Sequence, residues 1–169
     1  LKPDYLVAAL EGEGPNWRRV QYPAYKANRP PAPPEIIAQL PHLEPLLASF
    51  GASCWRLAAA EADDVIASLV QQAPPAWQIS IVSSDKDLLQ LLRPGVVMVD
   101  TLKGTTSGVE AAQEKFGVPP HQVAEAQGLI GDSSDNIPGV PGVGPKTAAG
   151  LIQQFGTLEA LFANLSAVA

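Results

Sequence analysis

A chain of 169 residues, 46% of them apolar and 17% charged, is long enough to bury a core; it has no apolar stretch of membrane-spanning length, so wholesale disorder and a membrane-embedded helix are excluded. Its 17 acidic against 11 basic residues give a formal charge of −6, which at face value argues against a polyanionic partner. Its single cysteine, Cys54, excludes an internal disulfide or a cysteine-built zinc site and suits a reducing compartment. No signal peptide or lipidation motif is visible, and because the chain opens on Leu1, already at the entry to a strand, it reads as a fragment whose natural start lies upstream.

Tyr5 to Leu10 is a short apolar run that predicts a buried strand, and Glu11 to Pro15 a Gly-Pro loop after it. Residues 17–34 hold Arg18, Arg19, Lys26 and Arg29 among Trp17, Tyr22 and Tyr25 and contain no acid. These aromatics suit stacking on unpaired bases as well as they suit core packing. Pro30, Pro31, Pro33 and Pro34 stop helix formation; apolar residues at helical spacing from Glu35 to Phe50, with Pro41 and Pro45 inside the pattern, then predict a kinked or interrupted helix. Cys54 to Leu57 reads as a strand with Cys54 buried, and Glu61 to Gln72 as a helix with Val65, Ile66, Leu69 and Val70 on one face. Gln78 to Val82 reads as a buried strand, Lys86 to Leu92 as a short helix and Val96 to Val99 as a strand. Such alternation signals an α/β domain with a largely parallel sheet. From Gly108 onward the segments 109–116, 119–130, 146–155 and 158–165 are all helical candidates, so residues 1–107 form the α/β part and 108–169 a helical subdomain.

In a parallel α/β sheet, functional groups collect after the carboxyl ends of strands. The acids fall at such places. Glu11 follows the first strand, Glu61, Asp63 and Asp64 open a helix after the second, and Asp85 and Asp87 follow the third; Asp132 and Asp135 lie in a Gly-Asp-Ser-Ser-Asp-Asn loop after a helix. Clustered carboxylates repel and need protons or cations, and an all-oxygen set suits magnesium or manganese. Taken singly, Glu61 to Asp64 equally fit a helix N-terminus, and Asp85 and Asp87 a helix cap. The joint occurrence favours the metal reading. His42 and His121 are expected to be structural.

Ile137 to Ala148 reads IPGVPGVGPKTA, with Gly142, Val143 and Gly144 forming a tight turn before a helix that begins at Lys146 and Thr147. Flexible backbone followed by a helix N-terminus is a phosphate cradle, and the spacing fits a helix-hairpin-helix that grips duplex backbone; it does not fit a Walker A loop.

Together the motifs YKANR (Tyr25 to Arg29), EADD (Glu61 to Asp64), SSDKDLLQLL (Ser83 to Leu92), KFGVPP (Lys115 to Pro120) and LIGDSSDNIPGVPGVGPKTA (Leu129 to Ala148) resemble the 5′ nuclease, or flap endonuclease, family, including the 5′-3′ exonuclease domain at the front of bacterial DNA polymerase I. The resemblance covers nearly the whole chain in the family's order. It implies a PIN-like (resolvase-like), mostly parallel sheet flanked by helices and followed by a helical subdomain with a helix-hairpin-helix. It also implies a monomeric, cytoplasmic, bacterial-type enzyme that cuts DNA near single-strand/double-strand junctions in replication and repair. On the same grounds, Glu61, Asp63, Asp64, Asp85, Asp87, Asp132 and Asp135 bind two divalent ions (Mg²⁺ or Mn²⁺). Lys26, Arg29 and Arg18 sit near an arch or gateway, in residues 17–34, that contacts the scissile phosphate, with Tyr25 on the DNA. Gly142, Val143, Gly144, Lys146 and Thr147 hold the duplex, with K⁺ bound by hairpin carbonyls. The family's first strand, which carries a metal-binding Asp, is missing before Leu1. Glu11 stands where the family usually has Asp, a longer carboxylate expected to bind through water or to shift the ion.

The expected reaction is phosphodiester hydrolysis by a metal-activated water. A structure-selective DNA-binding module that no longer cuts is the alternative, and a phosphatase-type aspartyl nucleophile at Asp85 or Asp87 a remote third reading. Setting aside the eight site acids leaves nine others against 11 basic residues, so the acidic balance is the imprint of the site and not a surface that repels DNA.

Overall fold

The computed structural model describes residues 2–167, in two compact units. The first comprises Leu1–Gln71 with Ser134–Asn136, the second Gln72–Ser133 with Ile137–Ala169.

In the first unit, strands β1 (Val7–Ala9) and β2 (Ser53–Trp55) pair in parallel, Val7 opposite Ser53 and Ala9 opposite Trp55. Between them lie helices α1 (Trp17–Gln21), α2 (Pro34–Ile37) and α3 (Leu40–Ser49), and after them α4 (Ala62–Gln72). The predicted interruption is present. It falls at Ala38 and Gln39, because Pro41 sits in the first turn of α3, where its missing N–H costs nothing, and Pro45 is absorbed within α3. One expectation fails here, the burial of the first strand and of Cys54. Strand β1 is half-exposed at best and Cys54 is only partly buried; no residue of α2 or α3 is buried, so Ile36, Ile37, Leu40, Leu46 and Phe50 leave their apolar stripe uncovered. Helix α1 lies in the basic stretch, to which the sequence assigned no element: Asn16 caps it, its side-chain oxygen accepting from the Arg18 N–H at 2.8 Å.

In the second unit, β3 (Ile79–Val82) pairs in parallel with β4 (Val96–Asp100), which pairs antiparallel with β5 (Thr105–Ser107). The parallel pairing and the alternation are as read from the sequence, but the described strands form two small sheets, and β5 is an addition. It exists because Asp100 accepts hydrogen bonds from the Leu102 and Lys103 N–H groups, closing a turn that Gly104 completes at φ 67°. A single 3₁₀ helix, Lys86–Leu91, follows β3 and buries Leu88 and Leu89. The remainder is helical: α5 (Glu110–Phe116), a 3₁₀ turn at Pro120–Gln122, α6 (Val123–Ile130), α7 (Pro145–Phe155) and α8 (Leu158–Ala163). Val123, Ala126 and Leu129 of α6 pack with Ala148, Ala149 and Ile152 of α7 to form the core beneath the hairpin. Gly117 ends α5 at φ 73°, and a Cβ there would stand 2.8 Å from that of Ala149, so only glycine lets α5 approach α7 this closely. Among the described residues no helix is long and apolar enough to cross a membrane.

Candidate functional site

In the first unit the basic stretch and the EADD motif meet. Arg18 makes a two-pronged pair with Asp64, Nη1 to Oδ2 and Nη2 to Oδ1, both at 2.7 Å. Its guanidinium lies 4.5 Å from the centre of the Trp17 ring. The hydrogen bond to Asp64, outweighing partial burial, pushes the Arg18 pKa up, and the same bond holds Asp64 below the usual carboxylate range. Asp64 also accepts from the Glu61 backbone N–H at 2.9 Å, an N-terminal cap that fixes the start of α4.

Glu61 is buried, and three donors converge on it: Lys26 Nζ at 2.6 Å, Asn16 Nδ2 at 2.8 Å and the Tyr25 hydroxyl at 3.0 Å. Burial raises its pKa, but the Lys26 and Tyr25 hydrogen bonds and the Lys26 and Arg18 charges outweigh it, leaving Glu61 below its ordinary value. Asp135, at the tip of the Gly-Asp-Ser-Ser-Asp-Asn loop, receives Arg29 and the Tyr25 hydroxyl and lies 3.9 Å from Lys26 Nζ. Lys26 takes a left-handed backbone at φ 55°, held by its N–H to the Asp135 carbonyl at 2.9 Å. The Asn136 side-chain amide donates to the Ala24 carbonyl and ties the tip down further.

Of the two roles the sequence left open for Tyr25, its surroundings are those of packing. Its side chain is 4% exposed, with Lys26 over the ring and the hydroxyl between two carboxylates, so the ring offers no face to a base. Burial, then the Glu61 hydrogen bond, drives its pKa up. Trp17 and Tyr22 are the exposed aromatics of this stretch. Glu11 is exposed, and Asp63 lies half-buried in the first turn of α4.

In the second unit, Asp85 caps the 3₁₀ helix by accepting from the Asp87 N–H at 2.9 Å. Lys86 Nζ stands between Asp132 Oδ2 at 2.6 Å and Asp87 Oδ1 at 3.0 Å, and Gln127 Nε2 donates to the same Asp87 oxygen at 2.6 Å. Burial lowers the Lys86 pKa, but the two carboxylates raise it further. Asp132 is set in place by paired backbone hydrogen bonds with Ile137.

Among the described residues, no group of three or more His, Cys, Asp or Glu side chains stands close enough to hold a metal, so the expected acids do not form a ready ligand set within either unit. The reason is electrostatic: each of these carboxylate groups has drawn in a basic side chain of the same unit. The donor chemistry nevertheless fits a hard divalent cation. It is all carboxylate oxygen, and at two places, Lys26 between Glu61 and Asp135 and Lys86 between Asp87 and Asp132, an ammonium is the cation that two acids share.

The hairpin differs from expectation in detail. The close backbone approach is at Gly131 and Gly139, where a Cβ would fall 2.3 Å from the Gly139 nitrogen and 2.1 Å from the Ile130 oxygen respectively. Gly142, at φ 81°, and Gly144, which precedes α7 without a side-chain cap, face open space. Lys146 and Thr147 are exposed, and Lys146 has no ion-pair partner among the described residues. Sequence reading missed Asn16, Gln127 and the two inner glycines. Only Lys86, enclosed in Asp85-Lys86-Asp87, carried a signal that could have been read.

Two family models match consecutive parts of the chain: "5′-3′ exonuclease, N-terminal resolvase-like domain" over residues 1–117 and "5′-3′ exonuclease, C-terminal SAM fold" over residues 118–169. The chain is 41% identical to a flap endonuclease Xni of Cronobacter sakazakii over 170 residues, covering 99% of this chain and 68% of that protein. It is also 41% identical to a DNA polymerase I of Rhizobium leguminosarum over 162 residues, covering 95% of this chain but only 16% of the polymerase. Among solved structures, T5 5′-exonuclease with bound divalent metal ions (zinc) superposes with a TM-score of 0.78 at 23% identity, over 92% of this chain and 62% of that one, a likeness of fold.

Proposed function

Since the chain belongs to the 5′-3′ exonuclease family, we propose that it is a divalent-metal-dependent 5′ nuclease that hydrolyses DNA phosphodiesters near single-strand/double-strand junctions, as a 5′-3′ exonuclease or flap endonuclease of replication and repair. The observation that carries the reading is the pair of ammonium-bridged carboxylates, Glu61 with Asp135 and Asp87 with Asp132, each drawn from one of the chain's acidic motifs.

Glu61, Asp63, Asp64 and Asp135 in the first unit and Asp85, Asp87 and Asp132 in the second would hold two magnesium or manganese ions, with Glu11 as an outer acid acting through water. When bound, such ions supply Lewis-acid stabilisation of charge developing on phosphate oxygens. Arg18, Lys26 and Arg29 supply fixed positive charge for the substrate phosphate, and their present partners keep them oriented until it arrives. Trp17 and Tyr22 offer exposed faces to unpaired bases at the gateway of residues 17–34. Residues 108–169 would grip the duplex: the open space at Gly142 and Gly144 on either side of Val143, the start of α7 without a side-chain cap and the exposed Lys146 beside Thr147 suit phosphate oxygens, and hairpin carbonyls suit a K⁺ ion. We take the protein to act as a cytoplasmic, nucleoid-associated monomer.

The test is a 5′-labelled flap substrate incubated with the full chain in Mg²⁺ and in EDTA. Short labelled products in Mg²⁺ and none in EDTA are expected. Binding of the flap with no cleavage in Mg²⁺ or Mn²⁺ would overturn the reading in favour of a non-cutting DNA-binding module.

A further inference from the structure

Lys86 is unusual among the basic residues near the acids because it is flanked in sequence by Asp85 and Asp87 and bonded in space to Asp87 and Asp132. Its backbone is fixed. It opens the 3₁₀ helix that Asp85 caps, and the helix is anchored by Leu88 and Leu89, which are 3% and 4% exposed. Its side chain is the less enclosed part: the long stem is 41% exposed and leads to solvent. Asp132 is the opposite case, its side chain 13% exposed and its backbone locked to Ile137, and Asp87 is further held by Gln127. The carboxylates are therefore placed by the fold, and the cation between them is the movable part.

We propose that Lys86 is the resident counter-ion of the Asp87–Asp132 pair, holding the two acids together in the metal-free protein and giving way to a divalent cation, so that it sets the metal affinity of that pair. The inference rests on the metal-dependent reading above. It predicts that removing the charge tightens metal binding, the reverse of what removing a ligand or a phosphate contact would do, and that metal expels the ammonium into solvent.

Two measurements on the full chain test it. Titration with Mn²⁺, followed by calorimetry, should give Lys86→Met and Lys86→Gln a dissociation constant lower by roughly tenfold than the parent's, while Asp132→Asn weakens binding. In the unsubstituted protein, which needs no variant to fold, the rate at which an amine-acylating reagent modifies Lys86, read by peptide mass spectrometry, should rise several-fold on adding Mn²⁺. If Asp132→Asn weakens binding but Mn²⁺ leaves both the variants' affinity and Lys86 labelling unchanged, the inference fails and the metal reading stands. If the unsubstituted chain binds no Mn²⁺, both fail.

Discussion

The two carboxylate groups use the same chemistry with different balance. In the first unit Glu61, Asp64 and Asp135 meet three cations, Arg18, Lys26 and Arg29, and share the hydroxyl of a buried tyrosine. In the second unit Asp87 and Asp132 share the Lys86 ammonium, Asp87 also takes the Gln127 amide, and Asp85 caps a helix. The first group is thus heavily crosslinked by cations; the second shares a single, more exposed lysine between two acids. Crosslinking of this kind ties α1, the YKANR segment and the loop tip to the start of α4, so the first group should matter more to stability. The more exposed second group should respond more to added cation.

The largest effect should separate the groups by activity: Asp87→Ala and Asp132→Ala should lower the flap-cleavage rate by roughly a hundredfold or more while shifting the urea midpoint little. Equal loss of stability in both variants would erase the contrast. Next, Arg18→Met should destabilise the chain by about 1–2 kcal/mol in urea unfolding, because it strands Asp64 and removes a two-pronged, partly buried bond. Lys86→Met in EDTA should cost less, its pair being more exposed.

Acid should act on the first unit in the same sense. Glu61 and Asp64 have folded pKa values below their ordinary 4.5 and 3.8, so their contribution is complete above those values and is lost as pH falls below them toward the lowered folded values. Hydrogen exchange should show α1 and the start of α4 opening as pH falls through that window. Opening that is instead confined to the second unit would contradict the assignment. The smallest expected effect lies at the hairpin. Lys146→Ala should leave stability within about 0.5 kcal/mol, weaken duplex binding several-fold and reduce its salt dependence by about one phosphate contact.

What was legible in the sequence followed periodicity and punctuation. The apolar run at Gln78 to Val82, the amphipathic face of α4 and the Gly-Pro start of α7 each encode their own local structure, and each is present within a residue or two. The acids at loop positions were legible for the same reason. What escaped depends on partners far along the chain. α1 is five residues with no apolar repeat, anchored by Arg18 to a carboxylate 46 residues away; β5 is Thr-Thr-Ser and forms because Asp100 closes the turn before it. The sequence left Tyr25 open between base stacking and packing, because the bonds from its hydroxyl to Glu61 and Asp135 depend on residues 36 and 110 positions away. The apolar stripe of α3 was read as a helical face and is one, but a stripe reports the face and not what covers it, and here its residues are exposed.

The proposed role of the carboxylates now shared with lysines is to serve a divalent cation in cutting DNA. It is tested most directly by single-turnover cleavage of a 5′-labelled flap in Mg²⁺, comparing the unsubstituted chain with Asp87→Ala at DNA concentrations where a gel-shift shows equal binding. The expected result is rapid release of short 5′ products by the unsubstituted chain and loss of cleavage in Asp87→Ala with binding retained. Equal cleavage by the two proteins would contradict it.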